Sequence, residues 1–395
     1  MALSTPVSER SEDPKVASGI SRLMLSGFRS YPSLKIECDT RPVVLTGQNG
    51  AGKTNILEAI SFLSPGRGLR GVKLSEVLCY PDAERNEAFT SWSVAASLDT
   101  PYGTTDIGTG LDLRIGENEK RLLRINREEI RSQAVLSEHL TVQWLTPQMD
   151  RVFSDGVTAR RRFLDRLVYS LDPHHAGRVM RYEHVMRERL RLLKQGHAAQ
   201  TAWLDTLEAK MAESGVAVAA ARLQTIEILK QAKEWALGLF PKAALSIAGE
   251  CETDLRERSA LEAEERLQKR LACSRSQDAE SGRTLQGPHR SALHVLYVEK
   301  SRPAEQCSTG EQKALLISIV MAASRLQALR GDQVPILLLD EVVAHLDERR
   351  RQALFEEILN LKIQAWMTGT DSDLFSEFGR EIQHFKIAHG ALEVV

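Results

Sequence analysis

Gly47-Gln48-Asn49-Gly50-Ala51-Gly52-Lys53-Thr54 lies between the apolar run Pro42-Val43-Val44-Leu45-Thr46 and a helical pattern running from Thr54 to about Leu63. The octapeptide fits Gly-x-x-x-x-Gly-Lys-[Ser/Thr], and a strand before it and a helix after it are the context that gives the string its meaning. Glycines let backbone N–H groups curl around a phosphate chain, and the start of the helix adds its positive dipole end. Gly47, Gln48, Asn49, Gly50, Ala51 and Gly52 are therefore expected to cradle ATP. Lys53 is expected to bridge the β- and γ-phosphates, and the Thr54 hydroxyl to ligate Mg²⁺. A glycine-rich turn that ends in Lys-Thr by chance would not bring both flanking elements with it.

A second apolar run, Ile336-Leu337-Leu338-Leu339, ends in Asp340-Glu341. Continuous hydrophobicity of this kind suits a parallel strand covered on both faces, and ligands bind beyond the carboxyl ends of such strands. Asp340 is the expected partner of Mg²⁺. Glu341 is the expected base that polarises the attacking water. An apolar strand ending in two acids is common by itself, and the phosphate loop gives this one its weight. Between Thr54 and Asp340 lie 286 positions, far more than a simple P-loop enzyme needs, so a further lobe is inserted.

The intervening pattern agrees. Leu23–Phe28 and Leu34–Cys38 read as a hairpin, and Trp92–Leu98, Ile107–Ile115 and Arg121–Asn126 as antiparallel strands. From about Thr158 to Leu271 the periodicity becomes helical, and polar Ser274–Arg283 reads as a returning loop. Strand-like Ala292–Val298, a helix from Ser308 to about Leu329 and strand Pro335–Leu339 close the pattern. Of the 395 residues 42% are hydrophobic and 27% charged, as in an ordinary soluble protein, and no apolar run is long enough to cross a bilayer. Met1 to about Gly19 reads as a disordered tail and not a signal peptide. Five scattered cysteines without a CxxC pair point to the reducing cytoplasm, with neither disulfides nor zinc. A net charge of −1 excludes a global pull toward nucleic acid. Locally, Ala159–Lys194 holds nine arginines and one lysine against four acids, which is a solvated helix face more often than a binding patch.

Cys307-Ser308-Thr309-Gly310-Glu311-Gln312-Lys313 opens the helix upstream of the acidic strand. Ser308 is a good N-cap and Gly310 permits close backbone approach, which makes a second anion-binding helix start. Standing alone, the segment would be no more than a capped helix. It resembles the signature of ABC-type ATPases, in the Ser-x-Gly-Glu form of DNA-repair members. That resemblance implies that Ser308 and Gly310 meet the γ-phosphate held by a second copy, so that ATP joins two subunits. Asp347 falls where such proteins carry their D-loop, although an Asp at a helix start is equally an N-cap. The usual histidine switch is replaced by Met367-Thr368-Gly369-Thr370-Asp371.

Pro65-Gly66-Arg67-Gly68-Leu69-Arg70, Leu145-Thr146-Pro147, Arg160-Arg161-Arg162-Phe163-Leu164-Asp165 and Gly287-Pro288-His289-Arg290, in this order between the ATP motifs, resemble the RecF family of SMC-related bacterial repair ATPases. The resemblance runs from about Leu23 to the end of the chain. It implies an α/β fold: an ABC-type P-loop ATPase head, with a mixed sheet flanked by helices, and an inserted helical lobe. The corresponding division is a tail at 1–19, the head at 20–157 and 284–395, and the lobe at 158–283. It further implies slow DNA-stimulated ATP hydrolysis, ATP-dependent homodimerisation on gapped or stalled-fork DNA, and RecA loading with RecO and RecR. Arg160, Arg161 and Arg162 are the candidate DNA contacts. The scarcity of aromatics among them favours duplex-backbone recognition over base stacking. Arg67, Arg70 and Lys73 stand open between DNA, nucleotide and plain surface. Where many relatives have Pro-Glu-Asp this chain has Pro147-Gln148-Met149, so Gln143 and Gln148 are both candidates for the Q-loop glutamine. A transporter's nucleotide-binding subunit would carry its signature much closer to the phosphate loop than the 255 positions found here. A metabolic P-loop kinase has no use for the signature helix. The remaining rival is a DNA-bound scaffold with negligible turnover, against which the intact Asp340-Glu341 pair argues.

Overall fold

The computed structural model describes residues 18–79, 89–113, 119–195, 201–231, 238–330, 333–388 and 391–394. Alternating apolar side chains form β1 (Gly19–Phe28), hairpinned to β2 (Tyr31–Glu37) with Phe28 opposite Tyr31. The tail expected at 1–19 thus falls largely outside the described residues, and Gly19 already belongs to a strand. β3 (Val43–Thr46), buried throughout, feeds α1 (Lys53–Ser61). β4 (Ser91–Thr100), β5 (Gly103–Asp112), β6 (Leu122–Ile125) and β7 (Glu128–Glu129) extend the hairpin into an antiparallel sheet ordered β2-β1-β4-β5-β6-β7. α2 (Leu136–His139) then leads into β8 (Leu140–Leu145).

The inserted region opens with α3 (Val157–Leu171), α4 (His175–Gln195) and α5 (Thr201–Gln231). β9 (Ala243–Ala248), α6 (Glu250–Glu257), α7 (Ala260–Cys273) and α8 (Arg275–Ser281) complete it. Two local expectations change here. Ser274–Arg283 is mostly helix, capped by Gly282 in the left-handed region, and not a loop. Ala243–Ala248, inside the helical stretch, is a strand. It pairs antiparallel with β10 (Ala292–Tyr297), which in turn pairs with β11 (Arg302–Pro303). The chain then runs through α9 (Thr309–Arg330), β12 (Val334–Leu339), α10 (Glu348–Leu361), β13 (Gln364–Gly369), β14 (Gln383–Ala388) and β15 (Ala391–Val394).

A second six-stranded sheet, ordered β15-β14-β3-β13-β12-β8, joins the two ends of the sequence. Its strands are parallel except β15. Successive side chains on a strand face opposite ways, so each strand feeds two cores. Leu45, Ile336, Leu338 and Trp366 pack toward α1 and the antiparallel sheet. Val44, Leu337, Leu339 and Met367 pack toward α3, α9 and α10. A third cluster joins α4, the first half of α5 and α7 around Met211 and Leu267. The second half of α5 adds Ala221, Ile226 and Leu229 to the sheet's own core, so this helix ties the insertion to the head.

Buried ion pairs fix that junction. Arg222 on α5 grips Asp165 on α3 through Nε and Nη2, at 2.8 and 2.9 Å, and its Nη1 donates to the Pro288 carbonyl at 2.7 Å. Arg161 reaches the Ser291 carbonyl at 3.2 Å. Tyr182 on α4 donates to His289 Nδ1 at 2.7 Å, while His289 Nε2 donates to the Thr284 carbonyl at 2.8 Å. Burial alone would raise the Asp165 carboxyl, but the Arg222 charge and the bonds from His175 and Arg222 outweigh it and hold the group below its usual value. Replacing Arg222 by Leu leaves that carboxylate buried without its counter-charge. The expected loss is about 3–5 kcal/mol in urea-unfolding free energy; a loss under 1 kcal/mol would show the pair to be dispensable.

Candidate nucleotide site

The loop after β3 depends on glycine where the backbone turns. Gly47 has φ 149°, and a Cβ there would sit 2.3 Å from the Ile387 carbonyl oxygen on β14. Gly52, at φ 108°, is the residue before α1, and its Cβ would lie 2.5 Å from the Tyr31 hydroxyl. Only hydrogen fits in either place. Lys53 Nζ donates to the carbonyls of Gly47 at 2.6 Å and Gln48 at 3.0 Å, which draws the ammonium into the hollow of the loop. Burial lowers its pKa, against the opposing charges of Glu341 and Asp340.

Parallel pairing brings the acidic pair to the same edge. Thr46 lies opposite Gly369, and Leu339 lies opposite both Met367 and Leu145, so β3, β13, β12 and β8 all end together. Thr54 Oγ1 consequently donates to Asp340 Oδ1 at 2.9 Å, across the 286 positions that separate them. Thr368 Oγ1 donates to the same oxygen at 2.8 Å and accepts from the Glu341 N–H at 2.9 Å. Glu341 has φ 53°, a conformation that costs a residue with a Cβ roughly 1–2 kcal/mol. Among the described residues no cluster of three His, Cys, Asp or Glu could hold a metal ion. What the site offers is a hydroxyl and a carboxylate beside a phosphate loop, which suits Mg²⁺, an ion that takes few protein ligands and completes its shell with phosphate oxygens and water.

The two glutamines separate clearly. Gln143 is fully buried in mid-strand, with both side-chain polar atoms unpartnered. Gln148 is exposed in the turn Pro147–Arg151, just beyond the end of β8. That segment carries the start of α9: Lys313 Nζ meets Asp150 at 3.3 Å, and Ser154 Oγ donates to Gln312 Oε1 at 3.0 Å. Ser308 and Glu311 form a reciprocal cap, with the Ser308 N–H on Glu311 Oε2 at 2.8 Å and the Glu311 N–H on Ser308 Oγ at 3.4 Å. A hydrogen bond from Lys300, with those from Ser308, lowers the Glu311 carboxyl to about 2. Asp347 caps α10, accepting from the Arg350 N–H at 2.9 Å.

Of Arg160, Arg161 and Arg162 on α3, only Arg162 is exposed. Arg160 donates to the Phe153 carbonyl at 2.7 Å, and Arg161 is occupied by Ser291. Arg70 pairs with Glu58, as does Arg29 at 2.8 Å, so it is engaged against α1.

A family model described as the RecF/RecN/SMC N terminal domain matches residues 19–392. The "DNA replication and repair protein RecF" of Agrobacterium fabrum is 47% identical over 375 residues, covering 94% of this chain and 98% of the relative. That of Rhizobium meliloti is 46% identical over 94% of this chain and 97% of its own length. This chain belongs to the RecF family. Its fold is that of a solved structure described as the recombination mediator protein RecF-ATP in the RecFOR pathway. The TM-score is 0.79 at 22% identity, covering 96% of this chain and 99% of that one. An Smc head domain from Pyrococcus furiosus superposes with TM-score 0.53 at 15% identity, over 96% of each chain. The ABC-type head, with helices flanking a mixed sheet, is thereby established.

Within this RecF-family site, sequence reading passed over Thr368, noting only that a histidine was missing there. The signal was a hydroxyl residue at the end of a wholly buried strand next to the acidic one. The backbone of Glu341 yields a direct test. Glu341→Gly is expected to exceed Glu341→Ala by about 1 kcal/mol in unfolding free energy, and equal stabilities would mean that the left-handed conformation is not held in solution.

Proposed function

We propose that this RecF-family chain is a slow, DNA-stimulated ATPase of recombinational repair whose two nucleotide sites form between two copies. The observation that carries the reading is the placement of the two helix starts. Gly52-Lys53 follows β3, whereas the first turns of α9, which opens after Ser308, are held through Gln312 and Lys313 by the segment that follows β8. Three strand spacings separate β3 from β8, about 14 Å before the helix itself is counted. That offset supports a reading in which a second copy, turned head to tail, brings Ser308 and Gly310 over the first copy's phosphate loop.

In that arrangement the loop N–H groups of residues 47–52 and the Lys53 ammonium hold the phosphates. Thr54 and Asp340 hold the metal, Gln148 reaches in from the edge strand, and Asp347 lies at the contact between copies. Mg²⁺, when bound, neutralises charge that develops on the β- and γ-phosphate oxygens. Glu341 accepts a proton from the attacking water, and its backbone conformation sets the direction of its carboxylate. The relatives' names support a place in DNA replication and repair, and the solved RecF-ATP structure supports ATP as the nucleotide. The name of the RecFOR pathway supports RecO and RecR as partners, with RecA loading as the outcome. Among the described residues no helix is long and apolar enough to cross a membrane.

Arg162 on α3 and Arg181, Arg187, Arg191 and Lys194 on α4 are the exposed cations of the basic segment, Arg187 lying 3.8 Å from Glu183, and they supply phosphate contacts without base specificity. Arg160 and Arg161 stand behind them and orient α3.

Glu341→Gln is expected to accumulate an ATP-bound dimer by size-exclusion chromatography with light scattering; a monomer at saturating ATP sinks the shared-site reading. Ser308→Arg should abolish that dimer while leaving ATP affinity within about threefold, since it alters only the partner-facing terminus. Neutralising Arg162, Arg181 and Arg191 together should lower the slope of log affinity against log salt by about 2–3 on duplex DNA. An unchanged slope would place the DNA surface elsewhere.

A further inference from the structure

The hydroxyl of Thr368 occupies a position that the proposed chemistry needs and that nothing above has given a role. Its side chain is fully buried at the end of β13, the strand between the phosphate-loop strand and the acidic strand. A hydroxyl has one proton to give and lone pairs to receive. Here the proton goes to Asp340 Oδ1 at 2.8 Å, and a lone pair takes the Glu341 N–H at 2.9 Å. Asp340 Oδ1 already accepts from Thr54 at 2.9 Å, so two hydroxyls from two elements fix the plane of that carboxylate. No hydrogen bond among the described residues engages its second oxygen, Oδ2.

We infer that Thr368 is a positioning residue of the hydrolytic site: by one contact it orients the metal-facing carboxylate of Asp340, and by the other it holds the left-handed backbone of Glu341 that aims the adjacent carboxylate. This rests on the ATPase reading above. Thr368 is buried behind the carboxylates, so it steers two groups whose directions would otherwise vary independently. Groups that orient metal ligands in this way typically change metal affinity or activity by 10–100-fold when removed.

The test compares Thr368→Val, which keeps the shape and loses the hydroxyl, with Thr368→Ser, which keeps the hydroxyl, in the full chain with duplex DNA. Two quantities are read: the Mg²⁺ concentration that half-saturates binding of a fluorescent ATP analogue, and kcat against KM for ATP. Thr368→Val is expected to raise the Mg²⁺ requirement or lower kcat by about 10–100-fold with KM within about threefold. Thr368→Ser is expected to stay within about threefold of the parent in both. If Thr368→Val does not fold, Thr368→Ala against Thr368→Ser isolates the same hydroxyl. A hydroxyl-free variant with parental Mg²⁺ requirement and kcat overturns the inference, and so does a serine variant as impaired as the valine one. Were the parent protein to bind Mg²⁺-ATP without turning it over, the hydrolytic reading would fail, while the Mg²⁺ titration would still decide whether Thr368 orients Asp340.

Discussion

The hydrogen bond between Thr54 and Asp340 spans 286 positions of chain, and it exists only because β3 from the first part of the sequence is threaded between β13 and β14 from the last. Loop closure on this scale costs only a little more than closure of a much shorter loop, because the entropy grows with the logarithm of length. What makes it durable is burial. β3, β12 and β13 carry side chains that are almost wholly inaccessible on both faces, and displacing any one of them would expose two cores at once. The inserted region is therefore free to be large, provided it returns the chain to the sheet. The Asp165–Arg222 ion pair and the hydrogen bonds from Arg222 and Arg161 to the Pro288 and Ser291 carbonyls perform that return.

Those pairs revise the meaning of two motifs. Arg160-Arg161-Arg162-Phe163-Leu164-Asp165 and Gly287-Pro288-His289-Arg290 mark the family, and a run of arginines invites the thought of DNA. In the fold the two strings meet. Asp165 holds Arg222, Arg222 holds the Pro288 carbonyl, and Arg161 holds the Ser291 carbonyl. A buried charge needs a partner, and here each partner comes from the other side of the insertion. Of the four arginines in these motifs Arg162 and Arg290 are exposed, and the other exposed cations of the basic segment lie on α4.

Much of this was legible because periodicity and punctuation agreed. The phosphate loop announced itself by glycines between a strand and a helix, and the hairpin by alternation. Helix α9 was marked by its capping residue. The misreadings have physical causes as well. Ala243–Ala248 is a strand within a helical neighbourhood, and nothing local reveals that its partner lies at Ala292–Tyr297. Ser274–Arg283 is polar because α8 is a short surface helix whose one deeply buried residue, Asp278, serves Arg189. Neither local pattern nor composition separated Gln143 from Gln148. Separating them required knowing that β8 is the edge of the parallel sheet and that it ends at Leu145.

That edge carries a last consequence. The turn holding Gln148 also holds Asp150 and Ser154, which bind Lys313 and Gln312 in the first turns of the signature helix. Gln148, proposed to meet the nucleotide of its own subunit, thus shares a short segment with the groups that anchor the helix start proposed to face the other subunit. Gln312 is fixed at both ends, to Ser154 by its side-chain carbonyl and to the Cys307 backbone by its amide at 2.9 Å, so the turn and the start of α9 are joined directly. Coupling between the two proposed nucleotide sites therefore needs no long path through the core. The link runs through residues 147–155, a succession of tight turns between β8 and α3.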